Sequence, residues 1–226
     1  MQTSVDPIVP RTTADIVFER LRDEIVTLEL LPGTKISEAD VARRLGVSRQ
    51  PVRDAFNRLG NLDLLLIRPQ RATVVRGFSM QSIENARFVR QAVELEVVER
   101  ACKVWDAACA EALDANVAQQ QRAIDGGQTE QFHELDYGFH KLICELCGFP
   151  LAFDTIQQCK RKVDRLCVLS LDRAEEASAV LSDHKEIADA LRDRSVETAR
   201  AVTRRHLGRL DDTINGIHAT HSEYFE

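Results

Sequence analysis

The 226-residue sequence predicts a mostly α protein in two parts: an N-terminal winged helix-turn-helix and a C-terminal all-α antiparallel helix bundle. Three observations carry this. Apolar residues recur at helical spacing along most of the chain. Two short apolar runs read as strands, Leu64–Ile67 and Thr73–Val75, and they flank a basic turn. Positive charge is concentrated: eight Arg and two acids (Asp54, Asp63) lie from Arg43 to Arg76, whereas residues 79–226 are acidic and the whole chain carries −6. A basic patch on an acidic body is the expected footprint of a nucleic-acid-binding head on a different kind of domain. The expected divisions are a tail over 1–11, the head over 12–78, a six-helix domain over 79–217 and a second tail over 218–226.

In the head, Val17, Leu21, Ile25 and Leu28 share one face of a helix over Thr13–Leu28, which Leu31-Pro32-Gly33 ends. Ser37 caps a second helix, with Asp40 at the capping-box position. Gly46 suits the left-handed conformation that closes that helix. Ser48 caps a third helix, and Pro51 is tolerated in its first turn. Val52, Ala55, Phe56 and Leu59 face inward there, while Arg49, Gln50, Arg53 and Asn57 share the opposite side. Arg68-Pro69-Gln70-Arg71-Ala72 is the wing tip. The N-terminal end of such a third helix meets base edges, where Arg pairs with guanine and Gln with adenine. Arg68 and Arg71 suit phosphates or the minor groove. A merely solvated arginine face, or a head that binds protein, fits the same pattern.

The stretch Leu45-Gly46-Val47-Ser48-Arg49-Gln50-Pro51-Val52-Arg53-Asp54-Ala55, with Leu31-Pro32-Gly33 and Ser37-Glu38 before it, resembles the head of GntR-family bacterial transcription regulators over about 65 residues. The resemblance implies DNA contacts by Ser48, Arg49, Gln50 and Arg53, supported by Arg68 and Arg71. Ala39 stands where some members carry a backbone-contacting Arg, and Asp63 where the family usually has Gly before the wing. Asp tolerates a positive φ better than most residues.

Past Gly77-Phe78-Ser79 the segments 80–104, 107–124, 128–147, 150–171, 174–192 and 195–217 read as helices. Three histidines fall on apolar stripes: His140 among Leu135, Phe139 and Ile143; His184 among Val180, Leu181 and Ile187; His206 among Val202, Leu207 and Leu210. Asp136 lies one turn before His140, on the same face. A buried unpaired carboxylate is costly, and one carboxylate with three imidazoles is a natural set for a divalent transition metal. Three unrelated core histidines, each hydrogen-bonded locally, are the alternative. Arg90 also sits on an apolar stripe and needs an anion, either Glu94 one turn on or a ligand carboxylate. A second apolar side of that helix (Phe88, Ala92, Leu95, Cys102) suggests a dimer interface.

Arg90-x-x-x-Glu94, Asp136-x-x-x-His140, His184 and His206 resemble the ligand-binding (FCD) domain of FadR-type GntR regulators over about residues 79–217. That resemblance implies a metal held by Asp136, His140, His184 and His206, with zinc first and nickel or manganese as alternatives. It implies a small organic-acid effector bound at the metal with help from Arg90. Arg165 matches another frequently basic position, though its helical phase does not aim it at the cavity. Six helices point to the VanR-like subgroup. The expected protein is a homodimeric repressor on palindromic double-stranded DNA; the rival keeps the head but makes the metal structural or itself the signal. A metal-activated hydrolase fits poorly, since no HExxH or positioned base is visible.

The composition agrees with a soluble regulator. Hydrophobic residues are 44% and charged residues 29%, which is ordinary for a globular protein, and no apolar run approaches the ~18 residues of a membrane helix. Residues 1–11 contain Asp6, Pro7 and Pro10 and no apolar core of a signal peptide, so a cytoplasmic protein is expected. The six Cys (102, 109, 144, 147, 159, 167) then read as free thiols and small core residues, including the Cys144–Cys147 pair.

Overall fold

The computed structural model describes residues 11–68, 71–167 and 173–226, without the side chains of 167 and 173–176. Two compact units result, one running up to Phe78 together with Glu223–Glu226, the other Ser79–Ser222.

The first unit holds α1 (Thr13–Val26), β1 (Lys35–Ile36), α2 (Glu38–Leu45), α3 (Arg49–Asn61), β2 (Leu65–Leu66) and β3 (Thr73–Val75). Thr12 and Asp15 close a full capping box on α1, which satisfies two otherwise orphaned N–H groups. The helix stops at Val26, two residues short of the expected Leu28, which instead has φ +63°. Gly46 takes φ +67° and ends α2, and Asp63 takes φ +58° before the wing. The periodicity missed β1: two residues are too few to show alternation. Its pairing with β3 makes the sheet three-stranded in the order β1-β3-β2. Val17, Leu21, Ile25, Val52, Phe56 and Leu59 fill the core between α1 and α3.

The second unit is a bundle of α4 (Met80–Val104), α5 (Ala107–Asp125), α6 (Thr129–Leu146), α7 (Pro150–Cys167), α8 (Arg173–Arg192), α9 (Val196–Gly208) and α10 (Leu210–Thr220). Seven helices, not six, are present among the described residues. The segment expected as one helix over 195–217 divides at Arg209, just after Gly208, a weak helix former. The tail expected over 218–226 is corrected too: α10 runs to Thr220, and Phe225 bridges Phe78 within the first unit. Trp105, Phe139, Ile143, Ile187 and Leu191 anchor the bundle core. Leu95 and Cys102 are buried in that core or beside it, so the expected apolar outer side of α4 reduces to Phe88, Val89 and Ala92. Cys102, Cys109, Cys144, Cys147 and Cys159 are buried free thiols. Burial pushes the Cys144 thiol up to about 12, which leaves it inert as a nucleophile. Cys167 has no described side chain.

Candidate metal centre and nucleic-acid interface

Helix α6 places Asp136 and His140 one turn apart, and α8 and α9 bring His184 and His206 to the same point. One donor atom from each of the four lies within 4.8 Å of all the others, and all four residues are buried. Stacking on Phe139 at 3.9 Å between ring centroids fixes the His184 plane.

Each imidazole has an outer neighbour. His140 Nδ1 lies 2.8 Å from Glu94 Oε2, while its Nε2 faces Arg90 Nη2 at 3.4 Å. Nδ1 therefore donates to the carboxylate and Nε2 keeps a lone pair. His184 Nδ1 lies 2.8 Å from Gln120 Oε1. The Gln120 amide is oriented independently, because its Nε2 donates to Asn116 Oδ1 at 2.7 Å. So His184 Nδ1 is the donor, and His184 Nε2 carries a lone pair that is buried with no hydrogen-bond partner. It points toward Asp136 Oδ1 at 3.5 Å. His206 Nδ1 is likewise buried without a hydrogen-bond partner, with Asp183 3.7 Å away and held by Arg205 and Arg209.

The electrostatics are those of a site built around positive charge. Burial opposes ionisation of Asp136, but Lys160, His140 and His184 hold its carboxyl well below the usual range. Burial likewise opposes ionisation of Glu94, which His140 and Arg90 nonetheless keep ionised. Burial, then the neighbouring His206, drives the His184 pKa far down; burial and His140 lower that of His206. Burial disfavours charge on His140 too, but Glu94 and Asp136 outweigh it and raise its pKa. The Nε2 atoms of His140 and His184 face the ionised Asp136 at 3.6 and 3.5 Å in a buried pocket, and their lone pairs repel the carboxylate unless a cation stands between them. The donor set and the orphaned His184 Nε2 fit a divalent transition metal.

Arg90 forms the internal pair with Glu94, at 2.6 Å. It also lines a cleft of about 220 Å³ with Glu84, Arg87, Gln91, Cys159 and Leu207. Arg165 is buried on α7 and is not among the residues lining that cleft. The sequence reading missed Gln120, Lys160 and Asp183. Lys160 had a visible signal: it falls on the stripe of Phe153, Ile156 and Val163, all buried.

In the head, Arg49, Gln50 and Arg53 are exposed at the start of α3. Ser48 occupies the N-cap position, but its hydroxyl makes no capping bond, which corrects the expected cap. Arg53 is engaged by Glu38 at 3.1 Å and Gln50 by Asp54 at 3.0 Å. Arg68 and Arg71 are exposed on the wing and, with Lys35, line a hollow of about 310 Å³. No described helix is long and apolar enough to cross a membrane.

Residues 13–75 match the model of the bacterial regulatory proteins of the gntR family, and residues 86–209 match the FCD domain. The chain is 35% identical over 225 residues to the HTH-type transcriptional repressor RspR of Escherichia coli (strain K12), covering 100% of this chain and 98% of the relative. It is 32% identical over 216 residues to an uncharacterized HTH-type transcriptional regulator of Streptomyces ambofaciens, covering 95% and 90%. Among solved structures, E. coli McbR/YncC has the same fold, with a TM-score of 0.68 at 20% identity over 93% of this chain and 99% of that one. A GntR regulator from Rhodococcus sp. RHA1 has a TM-score of 0.67 at 23% identity, over 90% and 97%.

Proposed function

This chain belongs to the GntR family of bacterial transcriptional regulators and carries an FCD domain behind its DNA-binding head, and from that premise we propose that it is a metal-dependent, effector-responsive repressor. It acts in the cytoplasm as a homodimer on a palindromic operator, since two-fold protein symmetry is mirrored in the DNA site. Arg49, Gln50 and Arg53 read bases, and Ser48, Arg68 and Arg71 hold the backbone. Glu38 and Asp54 release Arg53 and Gln50 as DNA takes their place. The repressor assignment draws on the name of the E. coli relative RspR.

Asp136, His140, His184 and His206 hold the metal, with zinc the first choice and nickel or manganese open to the same donors. The observation that carries this is the buried, unpartnered Nε2 of His184 opposite Asp136 Oδ1. A bound divalent ion supplies a Lewis-acid centre to which a small organic acid can bring carboxylate or hydroxyl oxygens. Arg90 reaches both His140 and the neighbouring cleft, and provides the guanidinium for that acid. The effector must bind one arrangement of the dimer better than the other to shift operator affinity.

Calorimetric titration of zinc-loaded protein with sugar acids, hydroxy acids and dicarboxylates, repeated on His184→Ala, tests this. Binding of one acid that disappears in the variant supports the reading. The Arg90–Glu94 pair favours a second reading, in which Arg90 has a structural role and the metal is structural or itself the signal. Retained zinc with no acid bound, and an operator affinity set by zinc alone, selects it.

A further inference from the structure

Lys160 is a buried ammonium whose surroundings are unusual for a lysine. Its Nζ lies 3.0 Å from Asp136 Oδ2, and 3.0 and 3.2 Å from the two oxygens of Asp164. It also lies 4.3 Å from the centre of the Tyr137 ring, and the Tyr137 hydroxyl donates to Asp164. The Asp136 carboxylate is thereby divided. Oδ2 belongs to Lys160, while Oδ1 faces His140 at 3.6 Å and His184 at 3.5 Å.

We propose that Lys160 is the resident counter-cation of the metal site: it neutralises Asp136 while no metal is bound and leaves Asp136 one oxygen to offer a metal. The inference rests on the metal reading above. An ionised carboxylate shut in a protein interior needs a partner charge, and among lone-pair nitrogens it has none unless a proton or a cation comes in. Lys160 meets that need from the side opposite the histidines. Asp164 and Tyr137 anchor the ammonium from behind, so it stays in place when a metal takes a share of Asp136.

The sign of the effect sets Lys160 apart from the other outer neighbours. A carboxylate behind a ligating histidine, as Glu94 stands behind His140, makes that ligand more basic and strengthens metal binding. An ammonium behind a ligating carboxylate withdraws charge from it and repels the incoming dication. Lys160 therefore stabilises the metal-free fold and loosens the metal.

The test uses the full-length chain stripped by chelator, as wild type, Lys160→Met and Lys160→Arg. Zinc affinity is read by competition with a chromophoric chelator, and melting temperature is read without zinc. Lys160→Met melts lower than wild type without zinc yet binds zinc on the order of tenfold more tightly, a size typical of outer-shell changes. Lys160→Arg, which keeps the charge, stays close to wild type in both. Equal or weaker zinc binding by Lys160→Met, beside a wild type that binds zinc, overturns the counter-cation role and leaves the metal reading standing. A wild type that takes up no zinc overturns both. If Lys160→Met does not fold without zinc, the Asp136→Asn/Lys160→Met double variant decides. Folding regained once the carboxylate is gone supports the proposal; continued failure assigns Lys160 to packing and overturns it.

Discussion

Glu94 on α4 and His140 on α6 meet through a 2.8 Å contact between Oε2 and Nδ1. That contact sets the imidazole's tautomer and turns its Nε2 toward the other donors. Glu94 is itself held by Arg90, so the same carboxylate joins the candidate metal cluster to the arginine of the adjacent cleft.

Glu94→Gln is therefore expected to lower zinc affinity by about 10- to 100-fold, the range for outer-shell partners of a metal-binding histidine. Chelator competition measures it. An unchanged affinity would show that packing alone orients His140.

Metal removal is expected to lower the melting temperature. Binding to the folded state alone adds about 2.7 kcal/mol at free metal 100 times Kd. Melting followed against free zinc should rise steadily in the wild type and stay flat in His184→Ala. A melting temperature indifferent to zinc in the wild type would count against the centre.

On operator DNA, Arg49→Ala is expected to cost about 1–3 kcal/mol and to relax specificity at one base pair, whereas Arg71→Ala should weaken binding to all sequences alike and reduce the salt slope by about one. Fluorescence anisotropy across a salt series, with operator and scrambled duplexes, separates the two roles. Equal losses on both duplexes for Arg49→Ala would remove it from base reading.

Asp15 gives a pH signature in the head. Its side-chain and backbone hydrogen bonds to Thr12, followed by Arg58, lower its pKa from 3.8 to about 2. A carboxyl depressed in the folded state contributes stability above the unfolded value and loses it as pH falls through the folded one. The stability difference between wild type and Asp15→Asn should thus be full at pH 7 and fade as the pH falls from about 3.8 to about 2. Denaturant unfolding across that window checks it; a difference that persists below pH 2 would point to another cause.

Phe88 is 77% exposed on α4, beside exposed Val89 and Ala92. A large aromatic held in water on a regular helix suits a self-complementary interface. Phe88→Glu is expected to shift the mass measured by light scattering from dimer toward monomer at micromolar concentration. A variant that keeps the wild-type mass would remove Phe88 from the proposed dimer contact.

Some of this was legible in the chain itself. The Ser37 cap, Gly46, the α3 stripe and the placing of Asp136, His140, His184 and His206 on apolar faces are local patterns. Other features were not. The strand β1 is too short to show alternation, and its existence depends on β3, nearly forty residues away. The hold of Arg209 on Asp183 joins two helices and is not visible in either one's period. Lys160 was visible as a charge on an apolar stripe, but its partner was not.

The sequence alone determined which residues turn inward, because the 3.6-residue period and the cost of burying polar groups act within one helix at a time. It thereby determined the two-part architecture and the identity of the candidate ligands. Only the tertiary structure decided which groups meet. It brought three histidines on three helices and one carboxylate within 4.8 Å, gave Arg90 to Glu94, and set Lys160 behind Asp136. Those pairings depend on how helices cross in space, and a one-dimensional period carries no record of the crossing.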